Sequence, residues 1–219
     1  MNKAEARSRI EEIGIIPAVR VTKEEHAHFA VEAVNRAGIP IAEVTMTVPN
    51  AISVISRVAK SLPDMIVGGG TVLDAETAQR CLDAGARFLT CPGLVMEVVE
   101  FAVKKDVVVF PGALTPTEVI IAWKAGADFV KIFPCAQVGG PAYIRALKVP
   151  LHQVPLIASG GVNQMTAGNF IRAGATALGI GAELIPHEAL YRRQEAQIHE
   201  LARRFLAIVR GSRAERDSP

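Results

Sequence analysis

Short apolar runs and helical segments alternate along almost the whole of this 219-residue chain. Eight of the runs have the length and composition of buried strands. They occupy residues 13–20, 41–47, 65–71, 87–91, 107–110, 129–133, 156–159 and 177–180. Segments with helical spacing of apolar residues lie between them, at residues 23–37, 51–61, 75–84, 95–104, 117–125, 142–147 and 163–173. Several of these segments end at a glycine that suits the left-handed position after a helix, namely Gly38, Gly85, Gly126 and Gly174.

Strands that alternate with helices predict a parallel sheet, and eight such units predict a (β/α)8 TIM barrel. We therefore expect one α/β domain over residues 1–219, since barrels of this size are commonly single domains. An open doubly wound sheet is the alternative fold. It usually has fewer strands and a glycine-rich first turn, whereas the turn at residues 19–22 contains no glycine.

The two ends of the chain lie outside this alternation. Residues 1–12 predict an amphipathic helix that covers the bottom of the barrel. Residues 192–210 predict a longer C-terminal helix, because apolar side chains recur there at the spacing of a buried face. That stripe consists of Ile198, Leu201, Phe205 and Val209. Residues 211–219 are rich in charge and are expected to form a disordered tail.

The composition narrows the class of partner. Lysine and arginine number 24 and aspartate and glutamate 22, and this near balance gives no support for a nucleic-acid or membrane-surface partner. No apolar stretch reaches the roughly 18 residues of a membrane helix, and the polar N-terminus is unlike a signal peptide. Cys81, Cys91 and Cys135 lack the spacing of a zinc or redox motif, and so sparse a set favours a reducing compartment. We expect a cytoplasmic protein.

Lys131 lies in the middle of an apolar run, where a lysine is unexpected. Alternation along a strand places it on one face with Phe129 and Phe133. A parallel strand is buried on both faces, so the ammonium would be desolvated, which disfavours its charged form. An uncharged lysine is a nucleophile toward carbonyls. In the alternative interpretation the stem of Lys131 is buried while its head reaches water or an acid.

Glu43 faces the barrel lumen if its strand alternates in the same way. A carboxylate there must be hydrated, paired or protonated. It therefore serves either as a structural ion-pair partner of Lys131 or Arg20, or as a general acid/base. A lysine and a carboxylate that converge in one lumen are what imine chemistry on a ketone requires, so the pair favours catalysis more than either residue does alone.

Other polar residues and glycines follow the strands at the end where such barrels hold their active sites. Arg20 could bind a substrate carboxylate through its planar fork, or simply face solvent. Thr71 follows three glycines that permit close approach of a ligand, although a tight turn also explains them. The loops after the seventh and eighth strands are typical phosphate sites of this barrel class, through backbone N–H groups. The residues concerned are Gly160, Gly161, Gly181 and Ala182.

Seven short motifs, taken together, are specific. They are Ile16-Pro17-Ala18-Val19-Arg20, Ala42-Glu43-Val44-Thr45, Gly69-Gly70-Thr71-Val72-Leu73, Cys91-Pro92-Gly93, Phe110-Pro111-Gly112, Val130-Lys131-Ile132-Phe133-Pro134 and Ser159-Gly160-Gly161-Val162. With them the chain, over about residues 14–184, resembles the 2-keto-3-deoxy-6-phosphogluconate (KDPG)/4-hydroxy-2-oxoglutarate (KHG) aldolases, class I enzymes on a (β/α)8 barrel.

The resemblance implies a role for each matched residue. Lys131 would form the Schiff base, and Glu43 would be the acid/base. Substrate-binding residues would be Arg20 and Thr71 on the pyruvyl carboxylate, Pro92 and Phe133 as walls of the pyruvyl pocket, and Ser159. The resemblance also implies a homotrimer, a small 2-keto acid as substrate, and no metal or cofactor besides the imine.

Two positions depart from the family pattern. Many members carry an arginine four residues after the glutamate, where this chain has Thr47. Relatives that act on the galactonate-derived substrate also lack it, so Arg20 is left as the main cation for a carboxylate. A serine often follows the glycine of the last loop as a phosphate ligand, whereas this chain has Ala182 and then Glu183. The backbone amides would then be the main phosphate ligands.

We therefore predict a carbon–carbon lyase that cleaves KDPG, a related 2-keto-3-deoxy-6-phospho sugar acid or KHG. The products would be pyruvate and an aldehyde, glyceraldehyde 3-phosphate or glyoxylate. One rival is a (β/α)8 sugar-phosphate epimerase or isomerase that uses Lys131 as an electrostatic or acid/base group. Another is a non-catalytic sugar-acid binding protein. A metal-dependent aldolase is disfavoured because none of the five histidines pairs as ligands should.

Overall fold

The computed structural model describes residues 1–217 and contains one sheet of nine parallel strand segments. The segments are β1 (Ile15–Val19), β2 (Ile41–Thr45), β3 (Ile66–Gly70), β4 (Phe88–Thr90), β5 (Val108–Phe110), β6 (Gly112–Ala113), β7 (Val130–Ile132), β8 (Leu156–Ser159) and β9 (Ala175–Ile180). Their order in the sheet is β5-β4-β3-β2-β1-β9-β8-β7-β6. Nearly every strand residue is buried, as expected for a parallel sheet that is covered on both faces.

The two outer segments of this order, β5 and β6, are consecutive in sequence and are separated only by Pro111. Proline has no N–H and interrupts the regular strand, but its carbonyl still accepts a hydrogen bond of 2.9 Å from the amide of Lys131. The interrupted strand therefore joins both edges of the sheet. The sheet closes into the predicted (β/α)8 barrel, with β5 and β6 as its fifth strand.

Ten α-helices surround or cap the barrel in the described residues. They are α1 (Lys3–Ile13), α2 (Glu24–Arg36), α3 (Ala51–Ser61), α4 (Ala75–Asp83), α5 (Met96–Lys104), α6 (Pro116–Lys124), α7 (Pro141–Lys148), α8 (Ala167–Arg172), α9 (His187–Tyr191) and α10 (Glu195–Asp217). The sequence did not predict the short α9 or a 3₁₀ turn at Ala136–Val138. The four predicted glycines after helices all have positive φ, between 90° and 105°, which confirms their left-handed role.

Helix α1 covers the end of the barrel opposite to the carboxyl ends of the strands. Asn2 and Glu5 form a reciprocal capping box at its start, and Ala6 and Ile10 are buried. Asp128 lies just before β7, and its Oδ2 is 3.1 Å from Lys3 Nζ. The same oxygen accepts a 3.0 Å hydrogen bond from the amide of Val109. This end of the barrel is therefore held closed by an ion pair and by apolar packing.

The expectation of a disordered tail from residue 211 is wrong for residues 211–217, because α10 continues to Asp217. Ser212 is buried, and Arg213 donates hydrogen bonds of 2.6–2.9 Å to the carbonyls of Glu11, Glu12 and Thr176. These contacts fix the last turns of the helix against the bottom of the barrel. Residues 218 and 219 lie outside the described part of the chain.

Within residues 1–217, no helix is both long enough and apolar enough to cross a lipid bilayer.

Candidate active site

Lys131 and Glu43 meet inside the barrel, near the carboxyl ends of the strands. Lys131 Nζ lies 3.4 Å from Glu43 Oε2 and 3.5 Å from Oε1, although the residues are 88 apart in sequence. They are only 7% and 3% exposed, so the two charges are almost fully withdrawn from water. The predicted convergence of the pair is confirmed. The two side chains also form an ion pair, which was the alternative role predicted for Glu43.

The side chain of Glu43 occupies a space that exists because Gly70 has no side chain. A Cβ built on Gly70 would lie 2.2 Å from Glu43 Oε1 and 2.6 Å from its Cδ. Atoms cannot approach so closely without displacement, so only glycine leaves the carboxylate where it is. The last glycine of the triplet at residues 68–70 therefore leaves the space that the carboxylate of Glu43 occupies.

Two further side chains, those of Thr90 and Phe133, lie near the amine of Lys131. Thr90 Oγ1 is 3.5 Å from Nζ, and the ring centroid of Phe133 is 5.6 Å from it. Burial raises the pKa of the neighbouring Cys91 thiol to about 12, with smaller opposing effects from Lys131 and Glu43. The thiol therefore stays protonated at neutral pH and is a poor competitor for an electrophile.

A cleft of about 660 Å³ opens at the carboxyl end of the strands, and neither Lys131 nor Glu43 is among the residues that line it. Seven of the predicted site residues line it, namely Arg20, Phe133, Ser159, Gly160, Gly161, Gly181 and Ala182. Thr47, Glu183 and His187 also line it, and the hydroxyl of Thr47 is 2.7 Å from that of Thr45. Its volume is typical of a site for a small molecule. A larger, shallow cleft of about 890 Å³ lies on the outside, between α3 and α4, and contains none of these residues.

The two glycine loops present unpaired backbone donors to this cleft. Gly160 and Gly161 have φ of 85° and 82°, and a Cβ on Gly161 would lie 2.3 Å from Cβ of Ala136. Within residues 1–217, the amides of Gly161, Val162, Ala182 and Glu183 donate to no protein acceptor. Successive free amides that face one cleft can bind an anion.

Thr71 and Pro92 do not line the cleft, although both follow strand ends close to the pair. Thr71 has φ of 58°, a left-handed conformation that is uncommon for a residue other than glycine. Pro92 packs against β6, since a Cβ on Gly112 would lie 2.3 Å from the carbonyl of Pro92. Their substrate-binding roles stay predictions.

No role was predicted from the sequence for Thr90 or His187. For Thr90 the signal was present, because alternation from the buried Phe88 places Thr90 on the same face. In the described chain no group of three or more His, Cys, Asp or Glu side chains is arranged to hold a metal ion.

The fold and the buried lysine–carboxylate pair beneath an open cleft define a class I aldolase, a carbon–carbon lyase that acts through a Schiff base. The chain belongs to the KDPG and KHG aldolase family, whose model matches residues 6–201. It is 29% identical to the KHG/KDPG aldolase of Escherichia coli strain K12 over 201 residues, which cover 92% of this chain and 94% of that one.

Two other relatives add detail. A probable 2-dehydro-3-deoxy-6-phosphogalactonate aldolase of Rhizobium meliloti is 32% identical over 78% of this chain and 81% of its own length. A crystal structure of KDPG aldolase from Legionella pneumophila, with pyruvate captured at low pH as a covalent carbinolamine, superposes with a TM-score of 0.82. It is 26% identical and covers 93% of this chain and 97% of the other. The predicted family and reaction class are confirmed.

Proposed function

We propose that this enzyme cleaves KDPG, or a related 2-keto-3-deoxy-6-phospho sugar acid or KHG, reversibly to pyruvate and an aldehyde. Lys131 is the Schiff-base lysine and Glu43 the general acid/base. The observation that carries this assignment is the 3.4 Å contact between Lys131 Nζ and Glu43 Oε2 in a buried lumen below a cleft. Relatives named for these substrates span nearly the whole chain, which supports the choice of substrate class.

The first half of the reaction forms the imine. Transfer of one proton from Lys131 to Glu43 leaves an uncharged amine, which attacks the C2 ketone. The proton that the nitrogen loses on addition passes to the ketone oxygen, and a carbinolamine results. Glu43 protonates the departing hydroxyl, so that water leaves and an iminium forms. The positively charged iminium is an electron sink next to C3, and its formation prepares the C3–C4 bond for cleavage.

The second half breaks that bond. Glu43, now a carboxylate, removes the proton of the C4 hydroxyl, either directly or through one water. The electron pair of the C3–C4 bond moves into the iminium to give an enamine, and the C4 oxygen becomes the carbonyl of the leaving aldehyde. Protonation of the enamine at C3 and addition of water at C2 release pyruvate and restore the amine.

Arg20 and the loop amides bind the two ends of the substrate in this proposal. Arg20 lines the cleft and, within residues 1–217, makes no ion pair, so its guanidinium is available to the carboxylate at C1. Ser159, Thr71, Pro92 and Phe133 complete the predicted pyruvyl pocket. The phosphate at C6, where the substrate has one, binds the amides of the loops at 160–162 and 181–183.

Three further proposals concern the protein as a whole. We propose that it is a homotrimer without a metal or other cofactor and that it acts in the cytoplasm. A solved structure 28% identical to this chain is a cage made by fusing symmetric oligomeric domains, which supports an oligomer. Light scattering of the purified protein would measure its mass, and activity after exhaustive chelation would test the independence from metal.

Borohydride trapping with pyruvate tests the central assignment. We expect reduction to leave a lactyl-type adduct on Lys131, identified by peptide mass spectrometry, and no adduct in Lys131→Ala. Glu43→Gln should still bind pyruvate but cleave substrate about 10²–10⁴-fold more slowly, the usual contribution of a general acid/base. A folded wild-type protein that gives no adduct in excess pyruvate would favour the isomerase or binding-protein alternatives.

A further inference from the structure

The hydroxyl of Thr90 lies in the barrel lumen beside the amine of Lys131. Thr90 is fully buried, and its Oγ1 lies 3.5 Å from Lys131 Nζ. In the part of the chain that the structure describes, this is the one hydrogen-bonding contact of that hydroxyl. Burial of a hydroxyl is costly unless the hydroxyl is hydrogen-bonded. The contact with the amine of Lys131 therefore compensates for the burial of the Thr90 hydroxyl.

Aromatic side chains lie next to Thr90 on the strand and on its neighbour. Thr90 is in register with Phe110 on the neighbouring strand, and Phe88 precedes it on the same face of β4. The rings of Phe88 and Phe110 stack with centroids 5.0 Å apart, and both are buried. On this side of the lumen Thr90 thus brings a polar atom to Lys131 from within an aromatic cluster.

We propose that Thr90 is a positioning residue for the imine-forming step, an inference that rests on the proposed role of Lys131. An uncharged amine carries two hydrogens and one lone pair. The unprotonated oxygen of the Glu43 carboxyl group and the hydroxyl of Thr90 provide acceptors for these two hydrogens at 3.4–3.5 Å. With both hydrogens held, the lone pair points away from both acceptors and can be held toward the ketone of a bound substrate.

The hydroxyl has a second use once the iminium has formed. That nitrogen retains a single hydrogen, which Thr90 Oγ1 can accept. Glu43 is then released from the nitrogen and is free to take the proton of the C4 hydroxyl. Thr90 thereby separates the task of orienting the nitrogen from the task of moving protons, and it takes part in no covalent step.

The test is the rate at which pyruvate forms the imine, measured by borohydride quench at successive times in single-turnover conditions. We expect Thr90→Val, which keeps the shape and removes the hydroxyl, to slow imine formation about tenfold, the equivalent of one net hydrogen bond. The KM for the substrate should change less than twofold, whereas kcat should fall with the imine rate. Thr90→Ser, which keeps the hydroxyl, should restore most of the rate.

Two further variants separate positioning from packing. Leu89→Val trims a buried side chain one residue away on the opposite face of β4 and should leave the imine rate unchanged. Thr90→Ala provides a second hydroxyl-free protein if Thr90→Val fails to fold. The proposal is overturned if the hydroxyl-free variants form the imine at the wild-type rate, or if Thr90→Ser is as slow as they are. Failure of the wild-type protein to form any adduct on Lys131 would instead reject the proposed function.

Discussion

Replacement of Gly70 by alanine should reduce catalysis by displacing Glu43, without altering any group that takes part in the reaction. Gly70 is the last residue of β3, and its Cα faces the side chain of Glu43 on the neighbouring strand β2. The carboxylate of Glu43 is 3.4 Å from the amine of Lys131. Any displacement of the carboxylate therefore changes the distance over which the proposed acid/base acts.

The size of the effect follows from the distances. The added Cβ would lie 2.2 Å from Glu43 Oε1 and 2.4 Å from its Cγ. Non-bonded carbon and oxygen atoms approach to about 3.3 Å, so the carboxylate has to move by roughly 1 Å. A misplacement of about 1 Å can cost ~10²-fold in rate, or about 2.7 kcal/mol of transition-state stabilisation. Overpacking should in addition lower the free energy of unfolding by about 1–3 kcal/mol.

Gly69→Ala is the matched control on the same strand. Its Cβ would point to the opposite face and lie 2.6 Å from the Sγ of Cys81 on α4, so it overpacks the helix interface and not the site. The assay is pyruvate release from substrate, divided by the folded fraction obtained from denaturant unfolding. We expect comparable losses of stability and a loss of rate only in Gly70→Ala. A wild-type rate in Gly70→Ala, or an equal loss of rate in Gly69→Ala, would show that displacement of Glu43 does not limit catalysis.

Three further predictions concern stability, and denaturant unfolding measures each. Lys131→Met should lower the free energy of unfolding by about 3–5 kcal/mol because it leaves Glu43 buried and unpaired. The double variant Lys131→Met/Glu43→Leu should unfold at the same denaturant concentration as the wild type or at a higher one, although it should be inactive. Asp128→Ala should lower the free energy of unfolding by about 1–3 kcal/mol, since the amide of Val109 loses its acceptor, and leave the rate per folded molecule unchanged. Burial raises the pKa of each of the three thiols from 9.0 to about 12, so above pH 9.0 the unfolded chain loses protons that the folded one retains. The contribution of the thiols to stability should therefore be constant below that pH and fall above it by up to about 1.4 kcal/mol per pH unit for each thiol, and the fall should be smaller in a variant with all three replaced by alanine. The thiols are Cys81, Cys91 and Cys135.

The barrel could be predicted from the sequence because its signals are local. Each apolar run is short enough to be a strand, and several helices end at a glycine in the left-handed conformation, as at Gly38 and Gly174. The end of α10 could not be predicted in this way. Arg213 is held by the carbonyls of Glu11 and Glu12, 202 and 201 residues away in sequence, and a charged segment carries no local sign of such partners.

The site was predictable to the extent that strand alternation and barrel topology determine it. These two rules place Glu43 and Lys131 in one lumen near the same end. They do not say which side chains touch across that lumen, because contact depends on side-chain length and on the space that neighbours leave. Thr90 reaches the amine while Thr71 and Pro92 stay off the cleft wall, and neither result follows from their order along the chain.

The buried pair itself argues for function over structure. Two charges withdrawn from water lose hydration that their mutual attraction often does not recover, so apolar residues of similar size would hold the barrel equally well. The fold also does not need the pair for closure, because the opposite end is closed by α1 and by the ion pair of Lys3 with Asp128. Lys131 and Glu43 lie instead at the end with the 660 Å³ cleft, where Gly70 leaves space for the carboxylate. A costly pair, accommodated by a glycine at the cleft end of the barrel, is what an imine-forming site requires and what a structural ion pair does not.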